Sequence, residues 1–480
     1  MSRTKPESYV RLLERIESDS GGKKHIAFFD FDKTLIAGYS AVALLKAQLS
    51  EEQLGRLDIL QQFLAVGAHS AGLLDFDELV KTSALVLEGQ HEDDFIELAD
   101  LIYRKELRKM IYPEAAEVIL AHKNKGHEVV VVSSATKYQI EPVAREMGIE
   151  TVLATKFEVV DGALTGELDG PACFGEGKVD AAKAYCRKRR KSLSNSYFYS
   201  DSIDDLPLLE AVGNPIPLNA DNKLAQIAAE NGWQTYSFDS RRKATFGDIA
   251  RTCLMYSSIV PSALLGVYSK LQGRSTRDAA QLAFRDFAGT ALTLAGIKLN
   301  IEGEDNLWKH RPAVFVTNHQ SILDGFIAPH LIQRDIVVMG KKEARNMPVI
   351  GKTMEAAGFI MFDRSSREAG LEACELAAED VRNGYSLLIA PEGTRTYTSK
   401  PKAFKKGGFH VAMQAGVPVV PIVIKNAAAF WPRGENFVRP GTVEVEVLEP
   451  VPTDDWTVEN LSEKVDAIHA SFLRTLGHSE

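Results

Sequence analysis

Cysteine is scarce in this 480-residue chain: four residues (Cys173, Cys186, Cys253, Cys374) stand far apart, with no C-x-x-C pair and no histidine cluster beside them. That pattern argues against a structural zinc site and against a disulfide framework, and it points to a reducing compartment. Positive charge is also short. Lys and Arg number 56 against 65 Asp and Glu, a net charge of −9, so the whole-molecule field disfavours nucleic acid, and any anionic substrate must be met by local basic residues. The first residues, MSRTKPESYVRLLERIE, carry no apolar h-region, so no signal peptide is expected and placement is cytosolic. Long apolar runs are nearly absent. TCLMYSSIVPSALLGVYS (252–269) is uncharged, but it only just reaches the roughly 18 residues of a span and contains Pro261 and four serines; FAGTALTLAGI (287–297) is too short to span. A helix pair lying on a membrane or buried in a core is the expectation, ahead of a transmembrane helix.

What remains describes an ordinary globular chain, 45% hydrophobic and 25% charged, long enough for two domains. In the first half, the apolar run 25–29 and GHEVVVVSSAT read as buried strands. FEVVDGALTGEL reads as a hairpin about Asp161–Gly162, and SNSYFYSDSIDD as a strand ending in acids. Between Ala41 and about Leu120 the apolar period is helical, for example in LLKAQLSEEQLGRLDILQQFL. After about residue 243 a second series begins: AVFVTNHQS, DIVVMGKK, FIMFDR, SLLIAPEGTR, VPVVPIVIK and TVEVEVLEPV, closed by an amphipathic helix from Val458. Strands alternating with helices predict α/β folds with mostly parallel sheets. The expected division is 1–245 with a helical cap at about 40–125, an apolar helix pair at 246–299, and a second α/β domain at 300–480.

Parallel sheets hold ligands at the carboxyl ends of their strands, and chemistry-bearing residues fall there repeatedly. Asp30 and Asp32, in DFDKT, follow the first strand. Ser133 ends the second, Lys178 opens a helix, and Asp201 and Asp205 follow a later strand. A carboxylate nucleophile, oxygen ligands for a hard cation, a hydroxyl and a lysine are what phosphoryl transfer to an aspartate requires. These four segments resemble the motifs of haloacid dehalogenase-like phosphatases, nearest the phosphoserine-phosphatase branch, over about residues 23–240. The resemblance implies a Rossmann-like domain in which Asp30 is the nucleophile and Asp32 the general acid/base. It further implies that Ser133 and Lys178 hold the phosphoryl group, and that Asp30, the Asp32 carbonyl and Asp201 bind Mg2+ with support from Asp205. SDSIDD departs from the family's usual G-D-x-x-N-D at Ser200 and Asp204.

His25 and Asp30 also make an H-x4-D spacing, repeated at His319 and Asp324. With 11 histidines, chance supplies about 0.7 such pairs, so context decides. On a strand, His25 and Asp30 would lie about 16 Å apart at ~3.3 Å per residue, which makes that pair a decoy. His319 instead precedes a stretch that can turn into a helix. There a first-turn carboxylate can accept the imidazole Nδ1–H and leave Nε2 to deprotonate an alcohol. Arg364 in GFIMFDR and Glu392, Gly393 and Arg395 in PEGTR come at strand ends, followed by Lys405 and Lys406 in FKKGGF; arginine suits phosphate through its two-pronged donation. The basic run RKRRK (187–191) is expected on a solvated helix face.

Together NHQSILD, GFIMFDR, PEGTR and VPVVPIVI resemble the four blocks of glycerolipid acyltransferases, over about residues 300–430 and nearest the 1-acylglycerol-3-phosphate branch. This implies His319 as general base oriented by Asp324, with the acceptor held by Arg364, Glu392, Gly393, Arg395 and Lys406, and with Lys341 and Lys342 as further candidates. The partners implied are acyl-CoA or an acyl-carrier protein, a lysophospholipid and the membrane surface, met on its cytoplasmic face. Two alternatives stay open: another lysolipid acceptor with the first domain acting on a lipid phosphate such as phosphatidate, or a first domain kept only as a regulatory scaffold.

Overall fold

Four consecutive buried residues, Ile26–Phe29 (β1), form the middle of the first sheet. Ile26 and Phe28 join a core with Val130, Val132, Phe198 and Leu209, while on the opposite side Phe29 stacks on Tyr199 with ring centroids 4.3 Å apart. Burial on both faces is what makes the strand uniformly apolar rather than alternating. In the computed structural model, which describes residues 6–44 and 76–478, β1 pairs in parallel with Glu128–Thr136 (β2) and Tyr197–Ser200 (β4). Thr151–Thr155 (β3) and Asn214–Pro217 (β5) flank these, giving the order β3-β2-β1-β4-β5, parallel throughout. The hairpin pairs Phe157–Val160 with Ala163–Leu168, and Asp161 and Gly162 both take the positive φ that a type I′ turn requires. Of the expected cap helices, Phe76–Leu85 and Glu92–Ile102 are helical; LLKAQLSEEQLGRLDILQQFL lies almost wholly outside the described residues. Glu176–Arg189 (α1) carries Lys178 in its first turn and ends in the basic run, whose Arg189 and Lys191 both pair with Glu128.

The chain divides into two units, Met1–Arg242 and Lys243–Glu480. The second holds a seven-stranded sheet of Ile297–Glu302 (β6), Val314–Thr317 (β7), Ile336–Lys341 (β8), Ile360–Phe362 (β9), Ser386–Ile389 (β10), Val419–Ile424 (β11) and Gly441–Val447 (β12), in the order β6-β12-β11-β7-β10-β8-β9. Only the β11–β12 pairing is antiparallel. Along β7 the side chains alternate between two cores. Val314 and Val316 pack with Phe409 and Phe472, and Phe315 packs on the other face with Ile327, Phe287 and Trp431. β6 was not expected from the sequence, although its letters IKLNIE alternate apolar and polar as an edge strand should.

Before β6 come three helices: Phe246–Ser257 (α2), Ile259–Leu271 (α3) and Thr276–Leu294 (α4). The second uncharged run is the end of α4, buried through Phe287, Ala288, Ala291 and Leu292. The first run behaves oppositely. Among the described residues, Phe246–Leu271 is the one helical stretch long and apolar enough to cross a membrane. In α3 the buried residues are Ile259, Ser262, Gly266 and Ser269, while Val260, Leu264, Val267, Tyr268 and Leu271 are exposed, Leu271 by 80%. Ser262 donates to Asp286 of α4 at 2.7 Å, and a Cβ on Gly266 would meet Ala283 Cβ at 2.9 Å. Beyond Ile259 at its start, α3 therefore turns small and polar residues inward, and most of its large apolar ones face outward.

Phe315 lies fully buried in the middle of the second sheet. Phe315→Ala is expected to lower the unfolding free energy of this unit by about 3–5 kcal/mol, measured by urea denaturation; a loss below about 1 kcal/mol would remove it from the core.

Candidate active sites

The first site forms where β1, β2 and β4 end. Asp30 donates its backbone N–H to the Tyr199 carbonyl at 2.9 Å, which extends β1 by one residue and fixes the carboxylate at the sheet edge. Opposite it, α1 begins as the chain passes Gly175 at φ 51° and Gly177, where a Cβ would collide with the Ala172 carbonyl oxygen at 2.2 Å. This close approach delivers Lys178. Its buried ammonium lies 2.8 Å from Asp30 Oδ1 and 2.7 Å from Asp205 Oδ1, and Ser200, one of the two departures noted in SDSIDD, donates to Asp205 Oδ2 at 2.6 Å. Asp32 accepts the Ser40 N–H at 2.7 Å. Lys33, held at φ 53°, reaches Asp201 at 3.5 Å. Ser133 is buried inside β2, which runs three residues beyond the expected end, to Thr136, and it lies past the last pairing of β2 with β1 at Val131.

Charge is unbalanced in this pocket. Four carboxylates meet two ammonium groups, and burial, reinforced by the charge of Asp30, raises Asp32 and Asp201 to about 7. Asp205 rises to about 6, again chiefly from burial. A hard divalent cation on oxygen ligands would relieve that excess, so the residues present fit Mg2+. Of the aspartates, the structure brings Asp30 and Asp205 together through Lys178; the remaining pair, Asp32 and Asp201, are engaged by Ser40 and Lys33. The roles of Lys33 and Ser40 were not read from the sequence. Lys33 stands inside DFDKT, but nothing in a linear pattern shows that its backbone turns back.

The second site is built on the end of β7. Asn318 clamps the neighbouring strand, donating to the Ile424 carbonyl and accepting its N–H, both at 2.8 Å. His319 then places Nδ1 2.9 Å from Asp324 Oδ2, and the same oxygen accepts the N–H groups of Gln320 at 2.7 Å and Ser321 at 2.8 Å. Asp324 opens the helix Asp324–Ile332 (α5), so the turn between strand and helix folds around this one carboxylate oxygen. Glu392 is buried between the backbone N–H of His319 (2.7 Å) and that of Lys402 (2.8 Å), and burial raises its carboxyl to about 7. It thus positions backbone rather than pointing a free charge outward.

Arg364 donates to the Gly393 carbonyl at 2.7 Å, joining FDR to PEGTR. Arg395 stands near Arg433, whose guanidinium bonds its carbonyl and stacks over Tyr397. Burial pushes both Arg364 and Arg395 below the usual guanidinium range, and for Arg395 the charge of Arg433 adds to it. The lysines divide differently from the sequence reading. Lys406 donates to Ser462 on the last helix, whereas the Lys405 side chain lies against Gly393. Lys341 and Lys342 pair with Glu343 and Asp363 at the surface. A cavity of about 260 Å3 adjoins Arg364, Gly393 and Lys405 and is otherwise mostly apolar, lined by Met339, Phe362 and Leu371 among others. Arg433 stands nearly forty residues from PEGTR and outside all four blocks, so only the fold brings it beside Arg395. His25, the decoy, bonds Asp19 at 3.0 Å, while Asp30 bonds Lys178.

Comparison with known proteins places these geometries in context. Residues 27–210 match the family model "haloacid dehalogenase-like hydrolase" and residues 298–425 match the model "Acyltransferase". The chain is 34% identical over 39% of its length to a 1-acyl-sn-glycerol-3-phosphate acyltransferase of Cocos nucifera, spanning 60% of that protein. It is 33% identical over 40% of its length to one from Limnanthes alba, spanning 68% of that relative. A Mycobacterium tuberculosis protein named as a probable phosphatase is 34% identical over 44% of this chain and 75% of its own.

Removing the Lys178 ammonium would leave Asp30 and Asp205 facing each other in a buried site. Lys178→Met is expected to destabilise the first unit by about 3–5 kcal/mol in metal-free buffer, read as a fall in its thermal midpoint; an unchanged midpoint would mean that the pair is solvated.

Proposed function

The chain belongs to the haloacid dehalogenase-like hydrolases in its first unit and to the 1-acyl-sn-glycerol-3-phosphate acyltransferases in its second, and on that premise we propose that it acylates lysophosphatidate at one site and hydrolyses a phosphomonoester at the other. The observation that carries the acyl-transfer reading is the His319–Asp324 pair. Asp324 holds Nδ1, so Nε2 is the nitrogen left to take the proton of the acceptor hydroxyl. The hydroxyl oxygen attacks the thioester carbonyl of acyl-CoA or an acyl-carrier protein, the C–S bond breaks, and the thiolate leaves with the proton returned by His319. Arg364 and Arg395, depressed by burial and in want of an anion, suit the acceptor phosphate. Glu392 supports the site through the His319 backbone, and Gly393 and Lys405 border the same cavity.

In the first unit Asp30 is the nucleophile. Its carboxylate oxygen attacks phosphorus, the bond to the leaving alcohol breaks, and Asp32 supplies that alcohol with a proton and afterwards takes one from the attacking water. Ser133 and Lys178 hold phosphoryl oxygens, and Asp205 keeps Lys178 in place. When bound by the carboxylates of Asp30 and Asp201 and the Asp32 carbonyl, Mg2+ would neutralise charge on the phosphoryl group. The helical cap expected from the sequence, part of which lies outside the described residues, would select the alcohol.

Membrane docking on the cytoplasmic face completes the reading. It is supported by the outward apolar residues of α3 and by the small residues on its inner side, the pattern of a helix whose solvent is lipid. Tyr256 of α2 lies near enough to Arg395 to feel its charge, so the first of these helices runs beside one of the arginines assigned to the acceptor phosphate.

His319→Ala is expected to slow acyl transfer to lysophosphatidate by roughly 10²–10⁴-fold while hydrolysis of a generic phosphomonoester continues; Asp30→Asn should do the reverse. Loss of both activities in either variant would refute two independent sites. The double change Leu264→Glu with Leu271→Glu should weaken co-sedimentation with anionic phospholipid vesicles by at least about tenfold, given ~1.5–3 kcal/mol per buried leucine. Equal sedimentation would mean that α3 does not dock.

A further inference from the structure

At the other edge of the first sheet, where β1 and β2 begin, the chain gathers a second set of titratable side chains that neither activity uses. His25 immediately precedes β1 and His127 immediately precedes β2. The two strands run in register, Ile26 opposite Glu128, and the Glu128 N–H donates to the His25 carbonyl at 3.2 Å. Asp19 comes from the loop after the helix Tyr9–Glu17. Among the described residues these three form the one trio of His, Cys, Asp or Glu whose ligand atoms all lie within 4.8 Å of one another.

Each member is oriented from behind. Asp19 accepts the Tyr197 hydroxyl and, at 2.5 Å, the Gly21 N–H. A Cβ on Gly21 would sit 1.9 Å from the His25 ring, so the loop leaves exactly enough room for that imidazole and no side chain. His127 Nδ1 lies 2.7 Å from His122 Nδ1, and His122 Nε2 lies 2.6 Å from the Tyr199 hydroxyl. If the shared proton rides on His127 Nδ1, His122 passes its own Nε2–H to Tyr199 and His127 Nε2 keeps a lone pair. That nitrogen has no hydrogen-bond partner although His127 is only 4% exposed. A buried imidazole nitrogen without a partner is costly unless something occupies it. Burial also holds His122 and His127 toward the neutral form.

We propose that Asp19, His25 and His127 bind a divalent transition ion of the zinc class, with His122 and Tyr199 as the outer support of His127. Two imidazoles and one carboxylate suit such an ion and leave a fourth position for water, whereas magnesium prefers an all-oxygen set. A donated N–H on the far nitrogen is the usual posture of a metal-bound histidine. The nearby positive charges are already committed: Lys191 bonds Glu128 at 2.9 Å and Lys125 the Glu17 carbonyl at 2.8 Å. The ion would tie the loop entering β1 to the loop entering β2, roughly a hundred residues apart in sequence, on the edge of the sheet away from Asp30. It is thus a structural clamp, independent of turnover.

The test uses the full chain, stripped with EDTA and titrated with Co2+ in excess Mg2+ so that the oxygen site is filled. The wild type should bind one Co2+ with visible ligand-field absorption. His25→Gln and His127→Gln should lose the band, and His122→Phe should weaken binding roughly 10–100-fold. Asp19→Asn, which preserves shape, serves if the histidine variants fail to fold by circular dichroism, and should also bind more weakly. Absence of a saturable band in the wild type, or an unchanged band in the His25, His127 or Asp19 variants, would overturn the site.

Discussion

Parallel strand direction is the constraint on which both halves of this molecule depend. In a parallel sheet every strand delivers its following residue to the same edge, so side chains far apart in sequence converge without any long-range pairing of their own. Asp30 and Asp201 leave β1 and β4 in this way, with Ser133 just past the last β1–β2 pair, and His319, Arg364 and Glu392 leave β7, β9 and β10. The cost is that backbone groups at that edge lose their ladder partners. Both sites answer it with carboxylates: Asp32 takes the Ser40 N–H, Asp324 takes those of Gln320 and Ser321, and Glu392 takes those of His319 and Lys402. Residues that look catalytic in a motif are thus partly residues that finish a strand.

This explains how one spacing can be empty at residue 25 and full of content at residue 319. Histidine and aspartate five apart are held away from each other when the intervening residues are extended, as Ile26–Phe29 are. They meet only where the chain leaves the strand and folds into a helix within four residues, and Asp324 itself, by capping that turn, makes the meeting possible. The strands, the hairpin and the segregation of two motif sets were legible because each rests on local pattern. Arg433, the place of Lys405 beside Gly393 and the trio of Asp19, His25 and His127 were not. Their neighbours come from loops whose proximity is set by strand order, which no window of sequence contains. Strand β6 is a different case, since its alternation was plain but was overshadowed by the apolar run before it.

Helix α3 shows a further limit of reading composition. An uncharged run with four serines looks like a weak membrane span or a core helix. What separates the possibilities is which face is turned inward, and here Ser262 and Gly266 are, against α4. In water a helix packs its large apolar residues inward; the reversed order reduces the helix's own contribution to the core and leaves Leu264 and Leu271 largely exposed. Exposed apolar patches of this kind mark interaction surfaces, which supports the docking proposed for α3.

On the proposed function, the two sites would handle the same chemical group, a phosphate, with opposite residual charge, and the difference follows from what each would do to it. Binding a phosphate and leaving it intact calls for uncompensated positive charge, and Arg364 and Arg395 are held below their ordinary range by burial, and Arg395 also by a like-charged neighbour. Breaking a phosphate ester through an aspartate calls for a carboxylate inside the pocket, which repels the substrate it must attack. Lys178 offsets part of that repulsion, yet it is shared with Asp205, and Asp32 and Asp201 stay raised to about 7. The first unit is therefore short of one cation, and the second is short of one anion. On that reading a lone phosphate would complete the acyltransferase pocket, whereas in the hydrolase pocket a cation held by the carboxylates would offset the repulsion between an anionic substrate and Asp30.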